Sequence, residues 1–241
     1  SRYKDGYEKA KYERDLESLK NDRKARKLEV SPGEIEDLKK SVAESARGVY
    51  YQVDTAVGTL MFTRAEHLMR GAVDTGGKGA ADAAMDVLHH NRRVYELYGG
   101  AMERFRSAMD FSERNQNRRV TARLLLNIAS CQKRTGMLDD AYETLFGAED
   151  LAIDFAYDDV KWITWFKAAE FLHEYGASVE GAGYARLADG YYRKAVDLVT
   201  ECPQCYGGSA HLARGLFDQY ARFLVERGDW REALHVLEKK Y

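Results

Sequence analysis

One short pattern recurs four times in this chain, and it constrains the fold more than any other feature. It reads Ala101-x3-Phe105-x2-Ala108, then Ala141-x3-Leu145-x2-Ala148, then Ala188-x3-Tyr192-x2-Ala195, and finally Ala233-x3-Leu237. Positions i, i+4 and i+7 share one stripe of an α-helix, so each copy presents small, large, small along a single face. The alanines let a neighbouring backbone approach, and the large side chain fills the remaining gap. The leading alanines are 40, 47 and 45 residues apart. A unit recurring at such a period buries its apolar face only against the next copy, which is the signature of a solenoid.

The approach to each copy adds turn chemistry. Gly136-Met137-Leu138-Asp139-Asp140 precedes the second and Gly228-Asp229-Trp230-Arg231-Glu232 the fourth. A Gly past a helix end supplies the left-handed C-cap, and an Asp-bearing turn starts the partner helix. Leu125-x2-Ile128-Ala129-x2-Gln132, Trp165-x2-Ala168-Ala169-x2-Leu172 and Phe217-x2-Tyr220-Ala221-x2-Leu224 stand where each preceding helix is expected. Together these strings resemble the tetratricopeptide (TPR) repeat family, whose first helix carries W-x2-L-G-x2-Y and whose second carries A-x3-F. The first-helix strings keep the spacing and the small residue but not the Gly. The copy at Ala101 departs furthest, with a Gly99-Gly100 turn expected before it and His89 at a small-residue position. The resemblance covers residues 82–241. Its period exceeds the family's usual length of about 34 residues. Longer helices or inserted turns are therefore expected, one insertion lying at Ala177-Ser178-Val179-Glu180-Gly181-Ala182-Gly183.

The expected fold is all-α. It is a right-handed α-solenoid of about four TPR-like hairpins over 82–241, preceded by long N-terminal helices. Two prolines in 241 residues, and no sustained period-2 alternation, leave no room for a predicted sheet. The net charge of −2 gives no global attraction to nucleic acid or anionic membrane, and neither is an expected partner. No apolar run approaches the roughly 20 residues of a spanning helix. The sequence opens on Ser1 without the pattern of a secretory signal, which suggests a processed or trimmed chain. A cytoplasmic address is expected, with a periplasmic or otherwise exported mature chain as the alternative.

Residues 1–30 form a highly charged arm whose Glu13 and Glu17 stand opposite Lys20, Arg23 and Lys24 in helical register. A solvated helix folding back on the repeats is expected, and a coiled-coil or docking segment is the alternative. Ser31-Pro32-Gly33-Glu34 then starts a helix cleanly: Ser as N-cap, Pro at the first position, Glu three residues after the cap. Ile35, Leu38, Val42, Ala46, Val49, Val53, Val57 and Leu60 continue one face towards Met69. This 31–81 unit is expected to lie along or cap the repeats and to end in a Gly-rich connection, Gly71 to Asp82.

Strings that look catalytic carry little. Asp74-Thr75-Gly76 lacks the second copy of an aspartic-protease dyad. Gly76-Gly77-Lys78-Gly79 lacks P-loop spacing and a preceding strand. Asp86-x2-His89, Glu170-x2-His173 and Glu232-x2-His235 place a carboxylate and an imidazole one turn apart, but the repeat register turns Glu232 and His235 to solvent. Cys202-Pro203-Gln204-Cys205 closes a helix and supplies half a zinc site at most, so Cys202 and Cys205 are weak metal candidates beside a local disulfide or free thiols. Cys131 is expected to be buried on a first helix. No cofactor and no enzyme activity are expected.

The TPR resemblance implies a concave groove lined by the first helices. The second repeat would offer Arg123, Leu126, Ser130, Lys133 and Arg134, the third Ile163, Phe166, Glu170, His173 and Glu174, and the fourth Asp218, Arg222 and Glu226. Such a groove would be basic in its N-terminal half and mixed or acidic beyond, over an aromatic floor of Trp162, Trp165 and Phe166. Lys133 and Arg134 match the carboxylate clamp of chaperone-binding members only in charge, so that role is not assigned. The expected function is a non-catalytic scaffold or adaptor that binds a partner peptide or helix in the groove. The alternative is a structural subunit of a larger assembly, joined through the N-terminal helices and solenoid edges. A metal-binding helical protein is a minor third.

Overall fold

In a computed structural model, residues 2–25, 31–71, 80–179, 182–205 and 209–239 are described. They form α1 (Arg2–Ala25), α2 (Pro32–Arg70), α3 (Ala80–Arg114), α4 (Arg118–Arg134), α5 (Leu138–Asp154), α6 (Asp158–Val179), α7 (Ala182–Glu201), α8 (Ala210–Glu226) and α9 (Trp230–Glu238), with a 3-10 turn at Pro203–Cys205. The fold is all-helical, and no strand occurs among the described residues. The Asp74 and Gly76–Gly79 strings, with Glu180 and Gly181, lie outside those residues.

The capping box at α2 forms as its sequence requires. The Glu34 amide donates to Ser31 Oγ at 3.3 Å, and the Ser31 amide donates to the Glu34 carboxylate at 2.9 Å. The helix then runs 39 residues, to Arg70. It lies along α3. α1 packs on α2, with Tyr7 edge-on to Tyr50 at 6.3 Å.

The Gly99-Gly100 turn does not exist. α3 passes through both glycines and runs 35 residues to Arg114. Gly100 is there for contact: a Cβ would overlap the Met61 side chain of α2, while a Cβ on Gly99 meets nothing within 4 Å. The relation is reciprocal, because a Cβ on Gly58 of α2 would stand 2.8 Å from the Phe105 ring of α3. Each helix thus gives up a side chain where the other inserts one. One turn beyond these contacts the buried Asp54 carboxylate accepts from Arg104 Nη1 at 2.9 Å and Ser107 Oγ at 2.8 Å. Of the expected insertion Ala177–Gly183, the described residues are helical, with α6 continuing to Val179 and α7 starting at Ala182.

From α3 onward, four turns share one hydrogen-bond pattern. The amides of Asn117, Met137, Tyr157 and Asp229 donate to the carbonyls of Ser112, Gln132, Ala152 and Leu224 at 2.8–3.0 Å. Such a six-to-one bond closes a Schellman motif around one left-handed residue. Gly136 and Gly228 fill that place with φ +80°, as their sequence context implies. Gln116 and Ala156 fill it with φ 55° and 52°. These two turns went unread in the sequence because no glycine marks them.

Consecutive helices pack on one another from α2 to α9, and α6 also touches α4 and α8. Every alanine of the recurring pattern is buried, with Phe105, Leu145 and Tyr192 beside them. A continuous apolar core runs through α4 to α9, with Trp162, Tyr192, Tyr220 and Phe223 at its largest points. Carboxylates tie successive helices together. Glu149 of α5 accepts from Trp165 Nε1 of α6 and Tyr191 Oη of α7, each at 3.0 Å. Asp189 of α7 accepts from Tyr220 Oη of α8 at 2.9 Å.

Candidate binding trough

Three adjoining cavities line the face where the C-terminal halves of α2, α4 and α6 meet. The first, about 360 Å³, has Leu126, Ala129 and Leu145 at its base and Glu66, Lys133 and Glu170 among its polar walls. The second, about 260 Å³, shares Lys133, Arg134, Phe171 and Glu174 with it and adds Met69, Leu138 and Tyr175. The third, about 200 Å³, shares Leu138, Phe171 and Tyr175 with the second and adds Asp139, Tyr142 and Tyr184. Shared walls make them one trough, polar at the α2 end and aromatic at the α7 end.

Ion pairs set the electrostatics of the polar end. Arg134 grips Glu66 with Nε at 2.8 Å and Nη2 at 3.2 Å, joining α4 to α2. The same carboxylate accepts from Tyr98 Oη of α3 at 2.8 Å. Lys133 of α4 pairs with Glu174 of α6 at 2.8 Å, and Lys167 with Glu170 at 2.6 Å. Each cation therefore meets an anion across or along the wall.

The sequence-derived groove divides in two against this geometry. Leu126, Ser130, Lys133, Arg134, Glu170 and Glu174 line the trough. The other seven lie elsewhere. Arg123 is exposed and bound to Asp159 at the head of α6, which Arg119 also holds at 2.7 Å. Ile163 is half-buried against the core, and Phe166 is buried 6.4 Å from the Tyr192 ring. His173 Nε2 stands 2.8 Å from the Glu226 carboxylate, with its ring edge-on to Phe223 at 4.9 Å. Asp218 and Arg222 are exposed on α8.

One feature of the expected groove needs correction, and another gains detail. The arginines of its N-terminal half are held in ion pairs, Arg123 with Asp159 and Arg134 with Glu66. Trp162 is no part of a floor: it is wholly buried, and Trp165 turns its indole N–H to Glu149 on α5. The aromatic surface comes instead from Tyr142, Tyr175 and Tyr184. Phe171 and Tyr175, four residues apart on one helix face, are the signal that could have located it. Glu66 carried no such signal, being 68 residues from its partner Arg134.

The remaining candidates are settled locally. Cys202 and Cys205 are joined in a disulfide, which leaves neither sulfur as a thiolate for a metal. Among the described residues no three His, Cys, Asp or Glu side chains gather to hold an ion. Glu170 and His173 turn to different partners, Lys167 and Glu226. Cys131 is fully buried, and burial raises its thiol pKa to about 12. No helix among the described residues is long and apolar enough to cross a membrane. No protein-family model and no curated protein matches the chain.

Proposed function

We propose that the protein is a non-catalytic interaction scaffold that holds a segment of a partner protein in this trough. The observation that carries the reading is the chain of three cavities with an apolar base, an ion-paired rim and an aromatic end. Surface-exposed ion pairs contribute little and exchange partners easily. A partner's polar groups can therefore replace Lys133–Glu174 at small cost while an apolar side chain enters between α4 and α6. We propose further that α2 to α9 are four consecutive hairpins of a right-handed, TPR-like solenoid. The buried alanine pattern, the repeated Schellman turns and the contacts of α6 with α4 and α8 support this.

Selection from a random peptide display library tests the binding claim. Wild-type protein and a Lys133→Glu/Lys167→Glu variant are used in parallel. Enrichment of one motif on wild type, with loss of at least about tenfold in affinity on the variant, is expected when the paired cations guide the ligand. No enriched motif, or equal affinity for both proteins, refutes the trough.

A structural-subunit reading draws on α9, where Trp230 and Leu234 are 63% and 64% exposed on one face. It predicts self-association through that face, which sedimentation of wild type beside Trp230→Glu/Leu234→Glu measures.

A further inference from the structure

The aromatic end of the trough has a chemistry of its own. Tyr175 and Tyr184 stand at right angles, 84° between planes with centroids 5.3 Å apart, and form a corner between α6 and α7. Phe171 lies parallel to Tyr175 at 5.8 Å, and Tyr142 of α5 tilts against Phe171 at 6.1 Å. The cavity of about 200 Å³ is completed by Leu138 and by one acid, Asp139. Four rings from three helices thus line a small void, and among the described residues the single charged side chain lining it, Asp139, is negative.

An aromatic face is negative at its centre and attracts a cation within about 6 Å of the centroid. A primary ammonium keeps its hydration strongly and needs hydrogen-bond acceptors on all sides. Among the described residues, Asp139 is the only carboxylate lining this cavity. A fully methylated ammonium needs none, because its charge is spread over methyl groups that pack on rings. We propose that this pocket binds a quaternary methylammonium group. Two sources present that chemistry: a small molecule of the choline type, and a trimethylated lysine in a partner segment. The site stands without the peptide reading, and only the second source rests on it. The adjoining cavity of Met69, Leu138 and Tyr175 would receive the alkyl stem of a lysine.

The test uses the full chain with its tyrosine rings isotope-labelled, titrated by NMR with choline chloride. Sodium chloride and 3,3-dimethylbutan-1-ol, the uncharged isostere of choline, serve as controls. Choline is expected to shift a small set of tyrosine ring signals, and the isostere to bind about tenfold more weakly, since desolvated cation–π contact supplies that difference. Tyr142→Ala, at an exposed position, removes the assigned Tyr142 signal and weakens choline several-fold with the thermal melt unchanged. Asp139→Asn weakens it less. Equal binding of choline and its isostere on wild type overturns the proposal, and needs no variant to be folded. So does choline affinity unchanged by Tyr142→Ala and Tyr175→Leu. An acetylated trimethyl-lysine amide run beside choline separates the sources: tighter binding of the amide assigns the pocket to a modified lysine, and tighter binding of choline to the small molecule. Tight choline binding with a failed peptide selection would leave this site standing and the scaffold reading refuted.

Discussion

Ala156 and Gln116 hold a backbone conformation that their neighbours in kind give to glycine. With φ 52° and 55° against φ +80° at Gly136 and Gly228, each keeps a Cβ in the left-handed region. That region disfavours an L side chain by roughly 1–2 kcal/mol, partly offset by the larger unfolded-state entropy of glycine. Ala156→Gly should therefore raise stability by about 0.5–1 kcal/mol in urea melts, and Gly136→Ala should lower it by about 1 kcal/mol. A loss in the first variant would mean that the Schellman turn is not strained. Four phenols make a second residue-scale prediction. Burial raises the pKa of Tyr98, Tyr191, Tyr192 and Tyr220, and nearby Glu66, Glu149, Glu170 and Asp189 respectively push each the same way. A raised folded pKa contributes stability that is complete below the ordinary value of 10.0 and is lost as pH climbs above it. Tyrosinate absorbance of the native protein should lag that of the urea-unfolded chain in this alkaline window, and stability should fall there. Coincident titration curves would contradict the buried phenols.

At the scale of elements, the two adjacent glycines of α3 give opposite predictions. Gly100→Ala pushes a methyl against the flexible end of Met61, which must swing aside, and should lower stability by no more than about 1 kcal/mol. Gly99→Ala meets nothing and should gain about 0.5–1 kcal/mol from helix propensity. A turn at this pair would make both substitutions unfavourable. The contrast shows what the sequence could and could not convey. Caps were legible at Ser31 and at Gly136 and Gly228, because a cap is decided within a few residues. Gly99-Gly100 read as a turn because its true reason, Met61 on another helix, is a contact some 40 residues away. The alanine stripe was legible as a packing face. Which helix pairs with which was not: the unit holding α2 was expected to lie along or cap the repeats, and no local signal placed its Glu66 in the trough wall. Cys131 gives an element-scale check on α3 and α4. Its buried thiol, held protonated, should resist iodoacetamide at pH 8 until the helices part, and modification at the native rate of a free thiol would refute that packing.

For the whole molecule, the proposed function turns on a surface drawn from several helices. The trough draws its polar end from α2 and α4, its base from α4 and α5, and its aromatic end from α5, α6 and α7. Carboxylates at Glu66, Glu149 and Asp189 tie these helices to their neighbours. Removing the Glu149 side chain as Glu149→Ala leaves the Trp165 and Tyr191 donors without a partner. It should destabilise the fold by about 2–4 kcal/mol, measured by urea unfolding. The central claim is that a partner segment lies in the trough. Amide hydrogen exchange, with and without a peptide selected on wild type, reads this most directly. The account predicts added protection near residues 66–70, 130–142 and 167–175, with α1 and α9 unchanged. Protection confined to α9 or to the exposed face of α1 would contradict it.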